Sequence, residues 1–253
     1  MRVRIGELWI DDITFAGTVE AILSRAAKGQ GGYVLTPNID HVVVAESDPG
    51  LRAAYAGASL SVVDGTALLW AARALGTPLP EKISGSDLLE PLVAGCAARG
   101  LSIYLLGGMH GVPQRVAAKL SAKYPNLKVA GFDSPLIPSP EAKESHEALA
   151  RVKAAKPALL FVALGCPKQE LWIHQMAHEL GSTVAIGVGA SLDFVDGTQH
   201  RAPPWVSRAG LEWAFRLVSD PKRLWRRYLV RDPKFIPIFV RTALESRATR
   251  VQA

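Results

Sequence analysis

The chain has 253 residues, 49% of them hydrophobic and 21% charged, with a formal net charge of +6. That length and composition suit a folded protein with a sizeable core and exclude disordered, collagen-like and disulfide-scaffold classes. The positive balance points to an anionic partner, and the two cysteines, Cys96 and Cys166, lack a metal-ligand or CxxC spacing and read as reduced thiols.

Met1-Arg2-Val3-Arg4 leads to Glu7, Asp11 and Asp12 rather than to an apolar stretch, so no secretory signal is expected. No uncharged apolar run approaches the roughly 20 residues of a spanning helix, so any membrane contact is expected to be peripheral, on a cytoplasmic protein. From residue 33 to about 191, short apolar runs alternate with longer amphipathic stretches, and each run ends in Gly, Pro, Asn or Asp. That alternation predicts a Rossmann-like α/β fold with a mostly parallel sheet. The predicted strands are 33–35, 60–63, 102–106, 127–131, 158–164 and 183–188; the predicted helices are 38–56, 65–75, 86–99, 112–124, 140–155 and 167–180. Ser86 is expected at an N-cap and Gly100 at a C-cap, while Pro113 and Pro167 fall where a first helical turn tolerates proline.

The alternation stops around residues 198–204 and gives way to Trp/Arg-rich helices punctuated by Pro221, Pro233 and Pro237. Two units are therefore expected: a core over 1–197 and a basic helical appendage over 198–253. A helix after Pro221 would carry Lys222, Arg223, Arg226, Arg227 and Arg231 on one arc and Leu224, Trp225, Tyr228 and Leu229 on the other. Such a helix fits an anionic membrane surface or a clamp on phosphates, and fits equally a helix packed on the core with its basic face in water. Exposed apolar surface there would also allow a homo-oligomer.

Ligands of an open parallel sheet bind beyond the carboxyl ends of the strands, so the residues after each run are the first candidates. These turns are Thr36-Pro37-Asn38, Asp64-Gly65-Thr66, Gly107-Gly108, Gly165-Cys166-Pro167-Lys168-Gln169 and Gly187-Val188-Gly189. Asp64 can act as a general base at a strand end, or simply cap the helix that follows, which propensity alone favours. The glycine pairs let backbone approach a phosphate, although neither Gly107-Gly108 nor Gly187-Val188-Gly189 completes a dinucleotide fingerprint and no phosphate loop of the GxxxxGK[ST] type is present. His41 and His200 can border the crevice, but a lone histidine is more often structural. No particular histidine is tied by spacing to Cys166, which reads as a packing or turn residue. His174 and His178 lie four apart without the Glu of HExxH, and no DxD motif is present, so no metal and no cofactor are expected.

Taken in order, Thr36-Pro37-Asn38-Ile39-Asp40-His41-Val42, Asp64-Gly65, Gly85-Ser86-Asp87-Leu88, Leu106-Gly107-Gly108, Gly165-Cys166-Pro167-Lys168-Gln169-Glu170, Gly187-Val188-Gly189-Ala190 with Asp193, Arg201-Ala202-Pro203 and Leu224-Trp225-Arg226-Arg227-Tyr228 resemble the WecG/TagA/CpsF glycosyltransferase family along nearly the whole chain. The resemblance implies a UDP-sugar donor, a polyprenyl-diphosphate-linked sugar acceptor, inversion at the anomeric carbon, and work at the inner face of the cell membrane in surface polysaccharide synthesis. It implies Asp64 as catalytic base, Thr36, Asn38 and Gln169 in the pocket, and Arg216, Arg223 and Arg226 at the diphosphate. Gly107, Gly108, Gly187, Gly189 and Asp193 complete the expected substrate-binding set. Lys82 stands where the family commonly has arginine, so a bidentate phosphate contact becomes a point charge there. Leaving-group charge would fall to arginines, lysine and helix N-termini, which predicts metal-independent turnover. A nucleotide-dependent oxidoreductase is the alternative that the fold permits, and a nucleic-acid-binding module the alternative that the basic end permits; no nucleic acid is expected as partner.

Overall fold

The computed structural model describes residues 1–208 and 210–251. Its centre is a six-stranded sheet formed by β3 (Gly32–Leu35), β4 (Leu60–Ser61), β5 (Ser102–Gly107), β6 (Lys128–Asp133), β7 (Leu159–Ala163) and β8 (Val184–Gly187). The spatial order is β4-β3-β8-β7-β5-β6, with every pairing parallel. All six predicted strands form. The five residues of β7 and the four of β8 are buried, as expected for strands covered on both faces, which read as continuous apolar runs.

Chain direction across the sheet places the site. From β3 the chain moves outward to β4, and from β5 outward to β6 on the opposite side, while β7 and β8 fill the centre. The carboxyl ends of β3, β8, β7 and β5 therefore open onto one crevice at the reversal of strand order, where open α/β sheets bind ligands.

Helices α1 (Phe15–Ala27), α5 (Gly85–Arg99) and α6 (Val112–Lys123) bury Ile22, Leu92 and Val116 on one face of the sheet. On the other face, α2 (Ile39–Ala45), α3 (Pro49–Ala56), α4 (Thr66–Ala74), α7 (Lys143–Ala155) and α8 (Lys168–Leu180) contribute Val42, Tyr55, Leu68, Leu149 and Trp172. The helix expected over 38–56 is two helices, because Pro49 lacks an N–H and starts a new one, capped by the Asp48 side chain on Leu51 N–H at 2.9 Å. The cap of α5 is Ser84, whose Oγ accepts the Asp87 N–H at 3.1 Å; Ser86 lies inside the helix. Gly100 ends α5 in the left-handed conformation, as expected.

An antiparallel hairpin, β1 (Arg2–Ile5) and β2 (Leu8–Asp11), precedes the sheet and was not anticipated. Its inward residues Val3, Ile5, Leu8 and Ile10 join the core on the α2 side, and Asp11 accepts the Ser61 N–H at 2.8 Å beside the short strand β4.

Beyond α9 (Ser191–Asp196) come α10 (Pro204–Arg208), α11 (Glu212–Ser219) and α12 (Pro221–Trp225). The chain then widens into a π-helical stretch, Arg226–Arg231, and tightens into a 3₁₀ turn, Asp232–Lys234, before α13 (Phe235–Val251). Pro233, which brings no N–H to the ladder, sits in that turn. Helix α13 returns to the core: Ile238 is buried there, and Thr242 Oγ1 accepts the Gly6 N–H at 3.0 Å. Among the described residues no helix is long and apolar enough to cross a membrane.

The basic segment does not form the arc that helical spacing predicts. Arg227 and Arg231 turn inward to Asp40, while Trp225, Leu229 and Val230 are exposed. The π-helical register, about five residues between bonded groups instead of four, rotates the arginines away from the outer arc.

Candidate active site

The strand ends and the C-terminal helical segment together line an open-sided cavity of about 300 Å³, walled by Asn38, Asp64 and Trp70 on one side and by Trp213, Arg216 and Tyr228 on the other. Asp64 follows β4 and is anchored through its backbone, whose N–H donates to Pro37 O at 2.8 Å. Helix α4 takes Gly65 as its N-cap without any side-chain cap bond, so the Asp64 carboxylate is not a cap. Enclosure pushes its pKa up to about 6, against the pull of Arg216 and Lys82 and with a further push from Glu212. A second carboxylate in the cavity, Asp232, is also raised to about 6 by burial, but it stands 4.0 Å from Arg227 and belongs to the contact between appendage and core.

Asn38 occupies the N-cap of α2, its Oδ1 accepting from Asp40 N–H at 3.0 Å and from Arg227 Nη2 at 3.2 Å. Thr36 is buried just after β3. Gln169 lies at the start of α8 with both ends of its amide engaged: Oε1 accepts the Gly189 N–H at 2.9 Å and Nε2 donates to Glu170 Oε1 at 2.8 Å. A Cβ on Gly187 would sit 2.4 Å from Gln169 Nε2, so glycine there makes room for the amide. Gly107 is required for a related reason: at φ +98°, a Cβ would come within 2.4 Å of Ala163 O. Next to it, Gly108 donates its N–H to the same carbonyl and lies near Asp193, whose pKa burial raises.

The expected cations disperse. Lys82 pairs with Glu212 of the appendage at 2.9 Å. Of the three appendage arginines, Arg216 lines the cavity with Asp64 and lies over the Phe194 ring at 5.5 Å. Arg223 pairs with Asp220 at 2.6 Å and acts on Asp193, while Arg226 lies over its own neighbour, Trp225, at 5.4 Å. Lys168 donates to Ile137 O rather than to the crevice. His200 is exposed, and His174 contacts Tyr33 Oη at 2.9 Å away from the cavity.

Three contributors escaped sequence reasoning. Arg227 and Arg231 both meet the core at the buried Asp40. Trp70, on α4, is 61% exposed and stands in the cavity wall against Gly210. Helical spacing marks Trp70 only as a surface position. His41, Cys166 and Glu170 also cluster beneath the crevice; burial raises the Cys166 thiol, which leaves it protonated and a poor nucleophile.

Residues 3–249 match the glycosyl transferase WecG/TagA/CpsF family. Among relatives, the chain is 31% identical over 241 residues, 94% of its length and 91% of the relative's, to an N-acetylglucosaminyldiphosphoundecaprenol N-acetyl-beta-D-mannosaminyltransferase of Staphylococcus aureus (strain MW2). It is 30% identical over 220 residues, 87% of this chain and 82% of the relative, to the protein of the same name from Bacillus subtilis (strain 168). A third, from Bacillus spizizenii (strain ATCC 23059 / NRRL B-14472 / W23), is 29% identical over 209 residues, 83% of this chain and 79% of the relative.

Proposed function

The chain belongs to the WecG/TagA/CpsF glycosyltransferase family, and from that premise we propose that it moves an N-acetylmannosamine-type sugar from a UDP-sugar to a polyprenyl-diphosphate-linked sugar, with inversion. The relatives' names give the acceptor class and the β-linked product. In this reading Asp64 takes the proton of the acceptor hydroxyl as that oxygen attacks the anomeric carbon, and the bond to UDP breaks with both electrons leaving on the diphosphate.

The observation that carries the reading is the Asp64 carboxylate in a cavity lined jointly by the strand-end turns and the C-terminal helices, with a pKa pushed up to about 6 by burial. It is ionised at neutral pH and more basic than an ordinary carboxylate, as a general base needs. Backbone N–H groups at Gly107, Gly108 and Gly189 and the side chains of Thr36, Gln169 and Asp193 would form the donor's surroundings. Arg216, Arg223 and Lys82 would offset the charge of the departing diphosphate without a divalent ion; Arg226, directed outward, would reach it only from the membrane side. Residues 198–253 would serve as the appendage that shields the reaction from water and meets an anionic bilayer through Trp225 and Leu229. Of the wider alternatives, the nicotinamide and nucleic-acid readings lack support in the relatives.

The test is transfer from UDP-N-acetylmannosamine to a lipid-linked N-acetylglucosaminyl diphosphate, with the product's anomeric configuration determined. A β-linked disaccharide formed in the presence of EDTA is expected, and loss of turnover on chelation with recovery on added manganese would refute the metal-free mechanism.

A further inference from the structure

The cluster of His41, Cys166 and Glu170 lies under the crevice with no role in the transfer step. One ligand atom of each lies within 4.8 Å of the others, a spacing that could suggest a metal site. The hydrogen bonds around the imidazole argue otherwise. His41 is the third residue of α2, and its Nδ1 accepts the Asn38 N–H at 3.2 Å as the reciprocal half of a capping box. Its proton therefore resides on Nε2, which stands 3.3 Å from Glu170 Oε1. Burial opposes a charge on this ring while the neighbouring Cys166 and Glu170 draw its pKa upward, and the Asn38 N–H, which needs the Nδ1 lone pair, holds the ring neutral against that pull. A neutral histidine that bound a metal through Nε2 would carry its proton on Nδ1, facing the Asn38 donor.

We propose that His41 and Glu170 are positioning residues that lock the strand-end turns of the active site into one register. The chain of contacts is continuous. Asp64 N–H donates to Pro37 O, and the next residue, Asn38, donates its N–H to His41. His41 Nε2–H donates to Glu170 Oε1, and the same oxygen accepts from Gln169, whose carbonyl takes the Gly189 N–H. One buried carboxylate oxygen thus ties the turn that holds Asp64, after β3 and β4, to the turns after β7 and β8. His41 is 6% exposed and Glu170 1%, so water does not compete for these bonds. The apparatus sets where the base stands relative to the glycine turns, and a displacement of about 1 Å there can cost a factor on the order of 100 in rate.

The inference rests on the transfer reaction proposed above, and the experiment separates the two. Glutamine at position 41 has a carbonyl to accept the Asn38 N–H, as in an ordinary capping box, and an amide N–H to give to Glu170. His41→Gln is therefore expected to keep kcat within about fivefold of the parent, with the acidic limb of its pH profile unmoved, while His41→Leu loses about 100-fold in kcat with little change in the donor KM. Ring ¹⁵N shifts of His41 in the parent protein should show a neutral ring protonated at Nε2 from pH 6 to 8. A His41→Gln variant as inactive as His41→Leu, an imidazolium ring at neutral pH, or zinc bound in stoichiometric amount would each overturn the proposal. Should His41→Leu fail to fold, the ring shifts and His41→Gln decide alone. A parent protein that transfers no sugar sinks the transfer reading instead, and the ring shifts still test the lock.

Discussion

Arg231 and Asp40 are 191 residues apart in the chain, yet the Arg231 guanidinium pairs with the Asp40 carboxylate, Nη2 donating to Oδ2 at 2.9 Å while Nε stands 2.5 Å from Oδ1 without the geometry of a hydrogen bond. Arg227 joins them at 3.3 Å. Asp40 is 1% exposed, so this pairing is shielded from salt and fixes the appendage directly over the turn that carries Asn38. Removing one partner of such a contact leaves charge uncompensated in the protein, which costs more than the pair contributes. Asp40→Ala should destabilise the fold by about 2–4 kcal/mol and expose the segment around Pro221 to protease, since it removes the carboxylate that two guanidiniums share. Arg231→Ala, which leaves Arg227 in place, should cost about 1 kcal/mol or less because Arg231 is itself 43% exposed. Equal losses in urea denaturation for the two variants would argue against a shared latch.

Asp64→Asn should abolish turnover, by a factor on the order of 10²–10⁴ for a general base, while raising the melting temperature. A carboxylate whose folded pKa, about 6, exceeds the ordinary 3.8 stabilises the fold only when protonated. That contribution is complete below about pH 3.8 and is lost as pH rises through 6, so the ionised group at pH 7 costs on the order of 3 kcal/mol. A variant that is both inactive and less stable would contradict this account.

The pH profile of kcat/KM should fall below about pH 6 as Asp64 takes up a proton. Arg216 and then Lys82 pull that pKa down, and Glu212 pushes it up. Arg216→Met and Lys82→Met should therefore move the acidic limb to higher pH, and Glu212→Gln to lower pH. Limbs that all shift in one direction would mean that a different group titrates.

Gly187→Ala brings a methyl group against the Gln169 amide at 2.4 Å and should displace it from Gly189. A cost of about 1–3 kcal/mol in stability and a rise in donor KM are expected, measured by thermal unfolding with and without UDP. Gly165→Ala is a useful contrast, since nothing lies within 4 Å of its added carbon and only the positive φ of 77° opposes it.

Trp225 and Leu229 are 43% and 57% exposed on the π-helical side of the appendage, beside Arg226. Replacing both with serine should weaken binding to vesicles containing anionic phospholipid at least about tenfold without lowering the melting temperature. Deleting the whole segment is a poorer experiment than the pattern of residues suggests, because α13 buries Ile238 in the core and its loss opens that core to water.

The core was legible because each buried parallel strand is an apolar run closed by a turn residue, and the candidate-site turns sit at those closures. The hairpin at Arg2–Asp11 was not, since two four-residue strands, one alternating Arg with apolar residues and the other nearly all apolar, give too short a pattern to separate from a loop. For Asp64, propensity alone favoured a cap and only the resemblance pointed to a base; the structure gives the cap position to Gly65. Arg227 and Arg231 were misplaced on the outer arc because a period of 3.6 was applied to a segment that winds as a π-helix, a departure that single-residue propensities do not encode. The lock through His41 was hidden for a different reason: it depends on which ring nitrogen carries the proton, and that is decided by an N–H three residues earlier and a carboxylate on another helix.

The bond from Gly6 N–H to Thr242 Oγ1 spans 236 positions. A ribosome adding about 5–20 residues per second needs roughly 10–50 s to supply the chain between them, and throughout that time the first hairpin has no α13 to rest on. The same final helix follows directly on the segment that brings Arg227 and Arg231 to Asp40. Both long-range contacts are thereby late events: Asp40 has no arginine partner until synthesis has passed residue 231, and the first hairpin has no Thr242 hydroxyl until it has passed residue 242.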